Sequence, residues 1–184
     1  DVSLSNLIDQ SLNLIAKFPS LLVYCYQACN YKHFKKSLII HNPMEEYSIA
    51  ENILHMLRSD SKFTKLESEI LDLILVIHAE HGGGNNSTFT SHVISSTRTD
   101  TYSSISASIG SLKGPMHGGA NSMVTKMIED MKKNSNPYDE IKLKEYLKKI
   151  FEKKAFDKTG RIYGMGHAVY TVSDPRAEIL KKKA

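Results

Sequence analysis

Cysteine is scarce: Cys25 and Cys29 are the only two in 184 residues. Two thiols do not make a disulfide framework for a chain of this size, which favours a reducing compartment. Lying in an apolar, tyrosine-rich helical run, they read as core or interface thiols. Long hydrophobic runs are also missing. Lys17 and Pro19 interrupt the most apolar early segment, so no stretch approaches the roughly 20 residues of a membrane helix, and no membrane association is expected. Neither sign of charge dominates, since 24 Lys and Arg against 20 Asp and Glu leave +4. Much of the surplus lies around Lys142 to Lys158 and Lys181 to Lys183, a bias suited to an anionic partner such as a phosphorylated cofactor or a carboxylate substrate. Nucleic acid is not the expected partner, because no basic stripe carries interleaved aromatics. Lys142, Lys148, Lys149 and Lys153 read instead as a solvated helix face. Internal repeats, low-complexity tracts and β-hairpin signals are missing too.

What remains is one helix after another, and the expected class is all-α. Leu4, Leu7, Ile8, Leu12 and Ile15 recur at helical spacing, and a second apolar run covers 21–28. Pro19 between them is expected to end or kink the element. Residues 30–47 read as a connecting loop. Ser48 and Glu51 form a capping-box pattern ahead of Ile53, Leu54 and Leu57. Leu66, Ile70, Leu73, Ile74 and Ile77 mark a helix that runs into His78 and stops at Gly82, Gly83 and Gly84. Ser87 is expected to begin a helix to about Thr97. The following TDTYSSISASIGSL is rich in small residues, which suits close packing of helix on helix or a subunit contact. Later helices are expected through Met123, Met127 and Met131, from about Asn136 to Lys154, and after Asp174, the last with aspartate as N-cap and Pro175 at its first position. The chain opens at Asp1 without a methionine and stops at Ala184 within an expected helix. A piece of a longer protein, cut at both ends, is the expectation.

Three segments set a histidine beside glycine: HAEHGGGNN at 78–86, GPMHGGAN at 114–121 and YGMGHAVYTVSDPR at 163–176. Glycine lets backbone and ligand come close, so the repetition points to a shared site. His117 immediately precedes a helix start, near unpaired N–H groups and the positive end of a helix dipole, a place that suits an uncharged ring. Such a ring can donate one N–H to a carbonyl oxygen and stabilise an enol or enolate. The plainer reading is a tight turn into the helix. Arg176 lies in the first turn of the last helix, where its charge opposes the dipole, a cost acceptable if its fork grips a carboxylate. A solvent-exposed arginine is the alternative. His78 and His81, with Glu80 between them, could instead hold a metal ion. Their spacing lacks the four-residue repeat of the zinc-hydrolase helix, and no metal ligand set is assigned.

HAEHGGGNNSTFTSHVISST, DTYSSISASIGSLKGPMHGGAN and YGMGHAVYTVSDPRAEIL, in this order and spacing, resemble the citrate synthase family. The resemblance implies a multi-helix architecture, with residues 1–117 belonging to the large domain and 118–184 to part of the small domain. It implies condensation of acetyl-CoA with oxaloacetate to give citrate. His81 would hydrogen-bond oxaloacetate, His117 would donate to the thioester oxygen as acetyl-CoA enolises, and His167 would polarise the ketone. Arg176 would hold a substrate carboxylate. Arg161, Ile162, Tyr163, Gly164, Met165 and Gly166 match the segment whose main chain receives the adenine part of coenzyme A. No tightly bound cofactor is implied, coenzyme A arriving as co-substrate.

The family's catalytic aspartate lies downstream of DPR and is not Asp174, so residues 1–184 would carry the electrophilic side of the site and be inactive alone. A homodimer through the small-residue helices at 87–112 and a cytoplasmic setting, or a mitochondrial matrix in a eukaryote, also follow from the resemblance. Two alternatives stay open at this point. One is 2-methylcitrate synthase using propionyl-CoA, and the other is a non-catalytic binding or dimerisation module on the same helices.

Overall fold

The computed structural model describes residues 3–80, 83–166 and 170–183. The described residues form eight helices and no strand: α1 (Leu4–Phe34), α2 (Ile49–Leu57), α3 (Lys65–His78), α4 (Asn86–Ser95), α5 (Thr101–Leu112), α6 (Ala120–Asn134), α7 (Glu140–Phe151) and α8 (Pro175–Lys181). The all-α expectation holds. None of these helices is long and apolar enough to cross a membrane.

Pro19 does not end the first element. It lies buried inside the continuous α1, which runs on to Phe34 and closes on a left-handed Lys35. A proline inside a helix costs about 3 kcal/mol through the lost N–H and the clash with the preceding turn. Here Pro19, Val23, Gln27 and Asn30 form the buried stripe of α1. Val23 packs with Ile53 and Met56, with Tyr24, Leu71 and Leu75 around them. That tertiary contact offsets the cost and lets α1 continue past the proline. The same stripe corrects the core reading of the thiols: Cys25 and Cys29 fall on the opposite face and are exposed. Leu4, Ile8, Leu12 and Ile15 are exposed as well.

Caps define most of the remaining boundaries. The Ser48–Glu51 capping box forms as expected. A second one, Thr64–Glu67, opens α3, and Arg58 binds Glu67 from the preceding turn at 2.5 Å. Asn85 caps α4, so Ser87 sits within its first turn instead of starting it. Asp139 caps α7, whose start falls later than the periodicity suggests because the Asp139 carboxylate takes the N–H groups of Ile141 and Lys142; the helix also ends earlier, at Phe151.

Two contacts position the site. First, α4 lies against α5 with serines at the seam: Ser104 Oγ donates to the Ser91 carbonyl at 3.2 Å, and Asn86 Nδ2 donates to Ser111 Oγ at 2.8 Å. Small side chains let the two backbones approach closely enough for these bonds, as the small-residue pattern suggests. Second, α6 and α7 bury Met127, Met131, Tyr146 and Ile150 together, with Phe156, Ile162 and Tyr163 packed on them. Tyr146 donates its phenol proton to Asp130 within this cluster. Lys142, Lys148, Lys149 and Lys153 lie on the solvated side, as expected.

Candidate active site

His117 sits in a turn made by its own backbone. The N–H groups of His117 and Gly118 both reach the Gly114 carbonyl, at 3.0 and 2.9 Å. The glycines after it are a packing requirement. A Cβ on Gly118 would overlap the Leu112 carbonyl oxygen, and one on Gly119 the Pro115 carbonyl oxygen. Backbone cannot move aside as a flexible side chain can, so the turn closes only with hydrogen at both positions. The helix α6 then starts at Ala120 without a side-chain cap. Its first N–H groups are therefore left for other partners.

The half-buried His117 ring turns toward α4, where Nε2 lies 2.9 Å from Ser87 Oγ. Ser87 Oγ also lies 2.9 Å from the carbonyl oxygen of Ser108 on α5. A hydroxyl has one proton and two lone pairs. If the proton goes to the Ser108 carbonyl, Oγ accepts Nε2–H and Nδ1 of a neutral ring is bare. If it goes to Nε2, the neutral ring carries its proton on Nδ1. Ser87 thus selects which face of the imidazole is the donor, a control typical of histidine sites.

Arg176 stands in the first turn of α8, and the charge there is answered locally. Asp174 caps the helix through the Arg176 N–H at 2.9 Å. The same carboxylate binds the guanidinium, with Nη2 to Oδ2 at 2.6 Å and Nε to Oδ1 at 3.0 Å. This bond, with the Asp174 charge behind it, raises the Arg176 pKa further above its ordinary value, and Tyr170 and Glu80 add to the field. The fork thus holds the chain's own Asp174 carboxylate in this structure. The helix α8 packs on α3, where Lys183 approaches Glu69 at 3.7 Å.

Residues 159–166 form a loop punctuated by Gly160, Gly164 and Gly166 at φ of 82°, 81° and 81°. At those angles an L side chain is strained. Gly164 lies close on Val124 of α6, where an added Cβ would come within 3.0 Å of Cγ2. Tyr163 donates its phenol to Asp157 Oδ2 at 2.6 Å, and this bond is the main reason the Asp157 carboxyl sits below its usual range.

The sequence-based site residues therefore fall into three groups. His117 is joined to the α4–α5 pair, Arg176 to Asp174, and the segment 161–166 to the α6–α7 cluster. No hydrogen bond or ion pair among the described residues joins His117 to Arg176. His81 and His167 lie outside the described residues. His78 ends α3 and its Nδ1 meets the Ile74 carbonyl at 2.7 Å. Among the described residues, no group of three or more His, Cys, Asp or Glu side chains is placed to hold a metal ion. Sequence reasoning did not single out Ser87 as a partner of His117, nor Asp157 as a partner of Tyr163. The first pair is separated by 30 positions and depends on how α4 meets α5.

The all-helical scaffold agrees with what known proteins show. Residues 3–184 match the family model described as citrate synthase, C-terminal domain. Over 175 residues the chain is 38% identical to citrate synthase 2 of Bacillus subtilis (strain 168), covering 94% of this chain and 41% of that protein. Over 169 residues it is 36% identical to the 2-methylcitrate synthase of Shewanella oneidensis, covering 92% of this chain and 40% of that protein. The crystal structure of citrate synthase from Thermotoga maritima superposes with a TM-score of 0.71 at 30% identity, covering 97% of this chain and 44% of that one. The chain belongs to the citrate synthase family. It spans about two-fifths of the length of the relatives it matches.

Proposed function

We propose that residues 1–184 supply the electrophilic half of a citrate synthase site, which joins the methyl carbon of acetyl-CoA to the ketone of oxaloacetate and releases coenzyme A by hydrolysis. The observation that carries this reading is the His117–Ser87 pair at 2.9 Å. In the structure Ser87 Oγ donates to the Ser108 carbonyl; in the reacting state that proton turns to Nε2 instead, which leaves Nδ1–H on a neutral ring. That N–H donates to the thioester oxygen as a methyl proton departs, so negative charge moves onto an oxygen that already has a donor. The enol carbon then attacks the oxaloacetate ketone, whose oxygen gains charge and is met by His167. Water finally cleaves the thioester, giving citrate, coenzyme A and a proton.

His81 and Arg176 hold oxaloacetate in this reading, Arg176 by exchanging the Asp174 carboxylate for a substrate carboxylate or sharing its fork with it. The main chain of Arg161, Ile162, Tyr163, Gly164, Met165 and Gly166 receives the adenine part of coenzyme A. The base that takes the methyl proton is the family's aspartate beyond the DPR segment, so residues 1–184 alone bind substrates without turning them over. The large-domain part is 1–117 and the small-domain part 118–184, a division supported by the separate α1–α2 and α6–α7 clusters. Homodimerisation through α4 and α5 belongs to the same reading and is supported by the exposed Phe89, Val93, Ile109 and Leu112 along them. A cytoplasmic setting is part of it too.

The test is thiol release from acetyl-CoA and propionyl-CoA, with and without oxaloacetate, by a complete protein containing residues 1–184. Oxaloacetate-dependent release that prefers acetyl-CoA supports citrate synthase. A propionyl preference moves the activity to 2-methylcitrate synthase. No release from a folded protein that binds oxaloacetate makes this a binding module.

A further inference from the structure

The segment 161–166 has neither helix nor strand to fix it, and its two inner glycines are left-handed. Such a stretch has many backbone shapes open to it unless side chains choose one. Ile162 and Tyr163 both pack on the α6–α7 cluster, and Tyr163 is held by a side-chain hydrogen bond as well. Its ring meets Phe156 edge-on, with centroids 6.0 Å apart at 86°, and lies on the Met127, Met131, Tyr146 and Ile150 cluster. Its hydroxyl reaches Asp157 Oδ2 at 2.6 Å.

Asp157 is fixed in turn. Its other oxygen, Oδ1, accepts from the Thr159 N–H at 3.1 Å and from Thr159 Oγ1 at 2.8 Å. The turn that carries it is strained: Lys153, Phe156 and Lys158 have φ of 61°, 52° and 58° without being glycine. Backbone strain of this kind persists only where the surroundings determine it. Here it brings one carboxylate oxygen to the turn and the other to Tyr163.

We propose that Asp157 and Tyr163 are positioning residues for coenzyme A: their hydrogen bond holds the main chain of 161–166 in the shape that receives the nucleotide part of the ligand. This rests on the coenzyme A role given to that segment above. The bond adds no contact to the ligand. It raises the fraction of molecules whose segment is ready to bind, and the apparent affinity follows that fraction.

The test measures coenzyme A affinity, oxaloacetate affinity and amide hydrogen exchange at 164–166 for the whole chain and for Tyr163→Phe, Asp157→Ala and Asp157→Asn. Tyr163→Phe keeps the ring and its packing, so loss of the fold is not at issue. Tyr163→Phe and Asp157→Ala should speed exchange at 164–166 and weaken coenzyme A about five- to tenfold by lowering the competent fraction, with oxaloacetate affinity unchanged. Asp157→Asn keeps an acceptor and should recover most of the affinity. Unchanged exchange in Tyr163→Phe overturns the tether, as does unchanged coenzyme A affinity in a chain that binds it. A parent chain that binds no coenzyme A overturns the ligand role of the segment, and exchange then decides the tether separately.

Discussion

Ser87 Oγ lies 2.9 Å from Nε2 of His117 and 2.9 Å from the carbonyl oxygen of Ser108. One hydroxyl thus joins α4, α5 and the turn before α6. Ser87→Ala removes both the orienting contact and the choice of tautomer. In a complete protein it should lower turnover by up to about 100-fold, the scale of a misplaced catalytic group, with oxaloacetate binding retained. Steady-state kinetics beside an oxaloacetate titration check this. Turnover equal to the parent would remove Ser87 from the site.

The glycines after His117 give a stability prediction with an internal control. Gly118→Ala sets a methyl group against the Leu112 carbonyl oxygen and should cost about 3 kcal/mol, the upper end for overpacking. Gly110, inside α5, has nothing within 4 Å of an added Cβ. Gly110→Ala should stabilise by roughly 0.5–1 kcal/mol through helix propensity. Urea midpoints of the two variants should move in opposite directions.

Arg176 is the proposed grip on a substrate carboxylate. Arg176→Lys keeps the charge and loses the planar fork, so it should weaken oxaloacetate by about tenfold or more while leaving coenzyme A binding alone. Titration calorimetry with each ligand separates the two. An equal loss for both ligands would mean that the change disturbed the structure instead.

Glu67 links pH to stability. The Arg58 guanidinium, with the Thr64 cap behind it, lowers its pKa from 4.5 to about 2. A carboxyl lowered on folding contributes stability that is complete above its unfolded value and is lost as pH falls through the folded one. The loss should therefore fall between about pH 4.5 and 2. Glu67→Gln keeps a capping-box acceptor without the charge, and its denaturation midpoint should fall less steeply over that window. Parallel curves for the two proteins would rule out this pair as a source of acid sensitivity.

Local signals were legible and contacts between distant residues were not. The box at Ser48 and Glu51 and the Asp174–Pro175 start appear in the structure where the residue types place them. Their chemistry lies within one turn of chain. Pro19 does not end α1 because the contacts of its buried stripe with α2, made through Val23 to residues 30 or more positions away, decide whether the helix continues. The exposure of Cys25 and Cys29 depends on which stripe of α1 meets α2, and an apolar run does not reveal that. At the site, the motif around His117 was readable, whereas Ser87 acts across the α4–α5 contact. From sequence, glycine at 118 and 119 suits the close approach of a ligand. The structure shows a nearer cause in the carbonyls of Leu112 and Pro115.

The most direct measurement is oxaloacetate-dependent thiol release from acetyl-CoA by a complete protein containing residues 1–184, compared with its His117→Ala variant. The expected result is release by the parent and a loss of at least about 100-fold in the variant, the scale of one removed oxyanion donor, with oxaloacetate still bound. Equal release by both proteins would contradict the role given to His117 and, with it, the proposed chemistry of this site.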